Sequence, residues 1–414
     1  MKKAALAVLS IALATGTHAQ VITDTVSTGA TYANQVWYSL ENDDQGTAAK
    51  NNWDLAFDAS GFGSTILINS ITGTTLWKYP NADTSGWATV DTTGISTWSA
   101  RWNSDTSWSE GAMGRYADPS NPSDLDWGLY NMTTHIVTGD SLYIIKLANG
   151  DFKKLWVQSL TGSVYTFKYA NIDGSGLQNA TLNKTTYSGK NFGYYSLQSN
   201  AAVDREPASA NWDLLFSQYT ALIPGPYTVT GLLANKGVEI AKFTALADKT
   251  TFTAYGTGTF VTPINTIGYD WKTFTGTGYS IKDSTVYFVK TVSGDIWKMI
   301  YTGFGGSATG NHIFTKEKLY TETGIAIGNG QKTISIALYP NPANGQDVYV
   351  LYSADGAVSV TVSDISGRTV FASNIAAQQG LQQLRIPTQS LLSGIYIVSV
   401  ATGEARAQQR LVIR

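Results

Sequence analysis

Asn52-Trp53-Asp54-Leu55-Ala56-Phe57 and, 159 residues further on, Asn211-Trp212-Asp213-Leu214-Leu215-Phe216 are the stretches whose reading decides the fold. In an extended chain successive side chains point to opposite faces, so Trp53, Leu55 and Phe57 share one face and Asp54 takes the other. Each hexamer follows a second shared run, Trp37-Tyr38-Ser39-Leu40 before the first and Tyr194-Tyr195-Ser196-Leu197 before the second. Later, Trp127, Tyr143 and Asn149-Gly150-Asp151 match Trp271, Tyr287 and Ser293-Gly294-Asp295 at an offset of 144. Two sets of anchors in one order predict a duplicated body, with each copy the size of a domain.

Between the anchors, short runs of β-branched and aromatic residues alternate with turn residues, as in Leu142 to Leu147 and Trp297 to Tyr301. The pattern predicts an all-β protein: two tandem related β domains, residues 20–180 and 181–322, then a linker at 323–333 and a small C-terminal β-sandwich at 334–414. The shrinking offset puts extra chain in the first copy, where Trp77, Trp87, Trp98, Trp102 and Trp108 fall.

The first residues read as an export signal. Lys2 and Lys3 precede an apolar run from Ala4 to Ala14 that is too short to span a bilayer, and Thr17-His18-Ala19 then ends in a small residue. Cleavage after Ala19 would leave Gln20 first. The chain has no cysteine, which excludes disulfides, thiolate metal sites and an N-terminal lipid on cysteine. Its 12 Trp, 23 Tyr and 14 Phe supply apolar burial instead. A net charge of -2 gives no basic footprint for nucleic acid.

Two resemblances follow from particular residues. Trp53 to Phe57, Trp212 to Phe216 and Tyr227 to Asn235 make the body resemble the HmuY-type family of exported all-β proteins. That resemblance implies haem as a candidate cofactor, and a mixed ligand set of His135 with Met113 or Met132 is chemically allowed. The mature chain departs from the family in having no anchoring cysteine and only His135 and His312. The C-terminal segment is similar to the type A sorting domain of type IX secretion. The carrying residues are Leu338-Tyr339-Pro340-Asn341-Pro342, Gly367-Arg368, Gly394-Ile395-Tyr396 and Arg410 to Arg414. This resemblance implies the type IX secretion machinery as partner. It also implies removal of the domain after transit and joining of the cargo to surface lipopolysaccharide.

No catalytic set emerges. Gly139-Asp140-Ser141-Leu142 imitates a hydrolase nucleophile block but lacks the partner histidine preceded by aspartate. Asp118, Asn121, Asp124 and Asp126 form an oxygen-rich loop without standard calcium spacing. Asp54 and Asp213 are expected to close loops on backbone N–H groups. Trp98, Trp102 and Trp108 fall on even positions, so one extended strand would show all three on one face, either as core or as a ligand platform. The expectation is an exported, non-enzymatic surface binding or interaction protein with an unidentified ligand. A haem carrier and an enzyme with an unrecognised site are the alternatives.

Overall fold

The computed structural model describes residues 20–321 and 334–414, except 355, 365, 378–380, 390 and 404. The expected signal segment and linker lie outside the described residues. The chain is all-β, and its α-helical content among the described residues is the single turn Gly306–Thr309.

The body is four sheets deep. One outer sheet has seven strands and includes Tyr143–Lys146, Phe152–Thr161 and Val164–Asn171. It faces an inner sheet ordered Ala201–Val203, Phe192–Ser196, Leu55–Asp58, Ile66–Ile68. Leu55, Phe57, Tyr195, Trp127, Tyr143 and Phe167 share the core between them. A second inner sheet runs Pro226–Ala234, Leu214–Leu222, Asn34–Ser39, Asp43–Ala49. Its outer partner has five strands, from Ile22–Ser27 beside Asn311–Tyr320 across to Glu239–Phe243. Tyr38, Leu214, Phe216, Trp271, Tyr287 and Phe314 fill that second core.

The two inner sheets pack back to back, so their central strands have no solvent face, while the edge strands Asp43–Ala49 and Ala201–Val203 stay largely exposed. Leu55–Asp58 and Phe192–Ser196 are buried at every residue. Period-two alternation then divides each strand between two cores. Leu55 and Phe57 enter the first core while Ala56 joins Trp53, Leu67 and Tyr194 on the other side. Likewise Leu214 and Phe216 enter the second core, while Leu215 joins Trp37, Trp212 and Tyr219. Trp108 packs against both central clusters, and its indole N–H donates to the Ala234 carbonyl at 2.7 Å.

This arrangement corrects the expected boundary between residues 180 and 181. Phe192–Ser196 pairs with Leu55–Asp58, and Leu214–Leu222 pairs with Asn34–Ser39. The chain therefore starts in one lobe, builds the other from Leu55 to Val203, and returns to finish the first. The two buried aspartates explain why. Asp54 N–H donates to the Tyr195 carbonyl at 2.9 Å, and its Oδ2 accepts the Leu197 N–H at 2.7 Å. Asp213 does the same with the Tyr38 carbonyl and the Leu40 N–H, both at 2.8 Å. Each Trp-Asp run thus closes on a Tyr-Ser-Leu run far away in sequence. Asn69 and Asn235 complete the match, donating to the carbonyls of Trp53 and Trp212 at 2.8 and 2.7 Å.

Arg205 and Glu206 sit at the junction. The Arg205 guanidinium lies 5.2, 5.6 and 5.1 Å from the rings of Trp37, Trp53 and Tyr194. It donates to Gln35 Oε1 at 2.6 Å and to the Ala49 carbonyl at 2.9 Å. Glu206 accepts from the Tyr194 hydroxyl at 2.7 Å and the Asn191 N–H at 3.0 Å. Burial pushes the Glu206 carboxyl up to about 7.

The C-terminal segment is a separate small sandwich. Ser335–Tyr339, Val348–Ser353 and Leu381–Ile386 form one sheet. Thr369–Ile375, Val358–Asp364, Gly394–Ala401 and Arg406–Ile413 form the other. Val350, Val360, Val362, Val398, Val400 and Leu411 lie between them.

Two predictions follow from this packing. Asp54→Ala and Asp213→Ala each strand buried N–H donors that now bond to a carboxylate, so each should cost about 2–4 kcal/mol in denaturant unfolding. A cost below about 0.5 kcal/mol would remove the loop-closing role. Glu206 holds its proton more tightly folded than unfolded, so its contribution to stability is greatest in acid. It is lost as pH rises from the usual carboxyl value of 4.5 through about 7. That loss is on the order of 3 kcal/mol. Glu206→Gln should flatten this slope in pH-dependent melting.

Candidate functional site

A groove of about 620 Å3 opens at the edge of the seven-stranded sheet. Its floor is backbone already paired. Thr75–Lys78 runs antiparallel to Tyr143–Lys146, the Tyr79 N–H donates to the Leu142 carbonyl at 2.8 Å, and the Arg101 N–H donates to the Leu76 carbonyl at 2.8 Å. On one wall Trp98 follows the single-turn 3-10 helix Ile95–Thr97, which turns its half-buried indole onto the Tyr79 ring, edge-on at 5.7 Å. Tyr116 also lines the groove, 42% exposed, with the Arg101 guanidinium 4.6 Å from its ring centre.

Charges around the groove are balanced and mostly tied. Arg101 is held by Asp126 at 2.5 Å, and Asp126 also accepts the Gly114 N–H at 2.9 Å. Behind them, burial and then the Asp126 carboxylate push the Tyr143 phenol well up, so it stays protonated. The Ser85 hydroxyl and N–H hold the Asp83 carboxyl below its ordinary value, so that rim group is ionised. Asp140 is exposed, and it accepts from the Ser141 hydroxyl at 2.7 Å. Lys78 is the exposed cation. Two acceptors, one free ammonium and aromatic surface suit a polar, uncharged ligand.

The structure separates the three tryptophans that the even spacing put on one strand. None lies in a strand: the segment from Ile95 to Trp108 is a 3-10 turn and loop. Only Trp98 lines the groove. Trp102 is half-buried, with its N–H on the Tyr116 hydroxyl at 3.1 Å. Trp108 is the wedge between the lobes, where it also borders a small cavity of about 80 Å3 with Trp53, Asn69 and Arg205. Loops decide this placement, because turns reset the face that each residue presents. Tyr79, Arg101 and Tyr116 escaped the sequence reading, since no repeat or motif marks them.

Of the expected haem ligands, Met113 is set apart from the surface turn that holds His135 and Met132. Met113 is fully buried in the first core and its backbone bonds to Ile66, so its sulfur serves packing. His135 sits in a surface turn with Nδ1 2.6 Å from the Tyr130 hydroxyl, and Met132 in the same turn is 54% exposed. His312 is fully buried, paired through Nδ1 with the Tyr301 hydroxyl at 3.2 Å, and burial holds it well below its ordinary value. The oxygen-rich loop turns inward on itself. Asp118 accepts from Ser120, Asn121 from the Ser123 N–H, and Asp124 from the N–H groups of Asp118 and Asp126. Ser141 is buried, and its hydroxyl is committed to Asp140 and the Asp126 carbonyl.

In the C-terminal sandwich the scattered motif residues meet. Tyr339-Pro340 and Asn341-Pro342 are both cis, and Asn341 between them reaches the last strand. Its Nδ2 donates to the Arg410 carbonyl at 2.7 Å and its Oδ1 accepts the Val412 N–H at 2.9 Å. The Ala343 N–H donates to the Val412 carbonyl and the Arg414 N–H to the Ala343 carbonyl. Gly367, at φ 84, closes a turn in which the Asp364 carboxylate accepts from Ser366 and Arg368. Gly394 opens the next strand, and the Tyr396 hydroxyl donates to the Leu392 carbonyl at 2.9 Å. The Arg410 and Arg414 side chains are exposed. Asn341→Ala removes both side-chain bonds, so the Val412 amide should exchange with deuterium at least about tenfold faster. Unchanged exchange would show that backbone pairing alone holds the terminal strand.

A family model described as "Secretion system C-terminal sorting domain" matches residues 337–414. No curated protein matches the chain. Among solved structures, a chain titled "Biofilm associated protein - BSP domain" is similar over 97% of this chain and 68% of its own, at 9% identity and a TM-score of 0.16. A likeness that low carries no argument about fold or function. These matches give no support to the HmuY-type resemblance of the body. Residues 337–414 are a secretion-system C-terminal sorting domain, which marks the protein for export to the cell surface or the extracellular space.

Proposed function

We propose that the four-sheet body is a non-enzymatic binding module, delivered to the outer surface by its sorting domain, and that the groove beside Trp98 is its ligand site. The observation that carries this is the groove itself. It is large, lined by aromatic rings and balanced charges, and built in part by the loop-rich segment that carries Trp98. Its wall has no histidine, and Ser141, whose hydroxyl donates to Asp140, is itself buried. Haem is disfavoured because Met113 is locked in the core and no histidine or methionine lines the groove. Removal of the sorting domain and attachment of the body to surface lipopolysaccharide complete the reading of its delivery.

The two halves of this proposal are tested separately. Deleting residues 334–414 should leave the body in the periplasm by cell fractionation, and its arrival at the surface would refute the address. For the binding half, the mature full-length chain is titrated with a panel of soluble sugars, peptides and haemin, following tryptophan fluorescence. At least one probe should saturate, and Trp98→Ala should abolish the response. Silence across the whole panel would sink the groove as a ligand site.

A further inference from the structure

We infer that the ligand of the Trp98 groove is a short neutral oligosaccharide; this rests on the groove being the ligand site. Three features of the wall point to that chemistry. First, the lining includes two aromatic rings from different loops, those of Trp98 and Tyr116. Sugar rings carry flat C–H faces that lie on such rings, while their hydroxyl edges stay polar. Second, the polar groups between the rings are suited to hydroxyls. The exposed Asp140 carboxylate keeps acceptor capacity beyond the one bond from Ser141, and Lys78 supplies donors. A carboxylate can take both hydrogens of neighbouring hydroxyls. Third, the size suits a few sugar units, since pockets of roughly 300–1,000 Å3 hold ligands of that scale.

The competing ligand classes meet specific obstacles. An extended peptide gains affinity by adding main-chain bonds to a free strand edge. Here the edge beside Thr75–Lys78 is already capped by Arg101, whose N–H donates to the Leu76 carbonyl. An anion could pair with Lys78, but Arg101 is bound to Asp126, and Asp83 and Asp140 would repel it. A flat apolar cofactor would have to bury the charged rim formed by Lys78, Asp83 and Asp140.

The test uses the mature full-length protein and defined probes: maltotriose, cellotriose, xylotriose, laminaritriose and chitotriose, with alanine and mixed-sequence pentapeptides and haemin alongside. Calorimetry should show saturable binding of at least one trisaccharide. Trp98→Ala and Asp140→Asn should each weaken it by about tenfold or more. Because Trp98 also packs on Tyr79, Asp140→Asn and the groove-filling Ala100→Trp are the controls in which folding is kept, judged by unchanged melting. Binding of a peptide or haemin in a Trp98-dependent way, with every trisaccharide inert, would overturn the sugar class and leave the groove standing. Trisaccharide binding indifferent to Asp140→Asn and Ala100→Trp would overturn the placement. Failure of every probe would remove both the class and the site.

Discussion

The body depends on the packing of two inner sheets against each other, whose central strands Leu55–Asp58, Phe192–Ser196 and Asn34–Ser39 are almost wholly buried. A strand in that position has nowhere to put a polar residue unless hydrogen bonds accompany it. Asp54 and Asp213 stand at the entry to two of these strands, and the carboxylate of each accepts a backbone N–H from the partner run. Because burial of an unpaired carboxylate is costly, these bonds also fix which strands can be neighbours. The Trp-Asp run of one half of the sequence must meet the Tyr-Ser-Leu run of the other. The lobes are therefore entwined, and the chain's first and last body strands, Ile22–Ser27 and Asn311–Tyr320, pair as a consequence.

The junction between the inner sheets is aromatic with a cation inside it. Arg205 can be buried there because three rings face it and its guanidinium finds a side-chain and a backbone acceptor. The ordering is functional as well as structural. Trp108 belongs to the same long loop as Trp98, and its bond to Ala234 anchors that loop to the opposite lobe. A loop pinned at one end against a rigid wall can hold Trp98 and Arg101 in place at the other, which is what a preformed groove requires.

The C-terminal sandwich solves a different problem. Its recognition residues lie at both ends of its sequence, yet Asn341 ties the entry segment to Arg410 and Val412. The address is thus a folded surface with exposed arginines at its rim, assembled only when the first and last strands are in register.

Export and delivery were legible in the sequence, because the sorting domain's motifs are local and ordered. The all-β class was legible too, since short β-branched and aromatic runs between turn residues cannot sustain a helical face. The repeated Asn-Trp-Asp-Leu-x-Phe hexamers announced matching strands, but not their partners. Pairing is a long-range choice, settled by which loops the buried aspartates close, and it moved the division of the body away from residue 180. The even spacing of Trp98, Trp102 and Trp108 misled because periodicity carries meaning only inside a regular element, and these residues lie in a turn and loop. Tyr79, Arg101 and Tyr116 carry no pattern at all; they meet because strand pairing and the Arg101–Asp126 contact bring distant loops together. Local chemistry, then, determined where this protein is sent and what its strands are made of. Tertiary structure alone decided which strands meet and where a groove is left open, because both depend on burying two faces of the same strands at once.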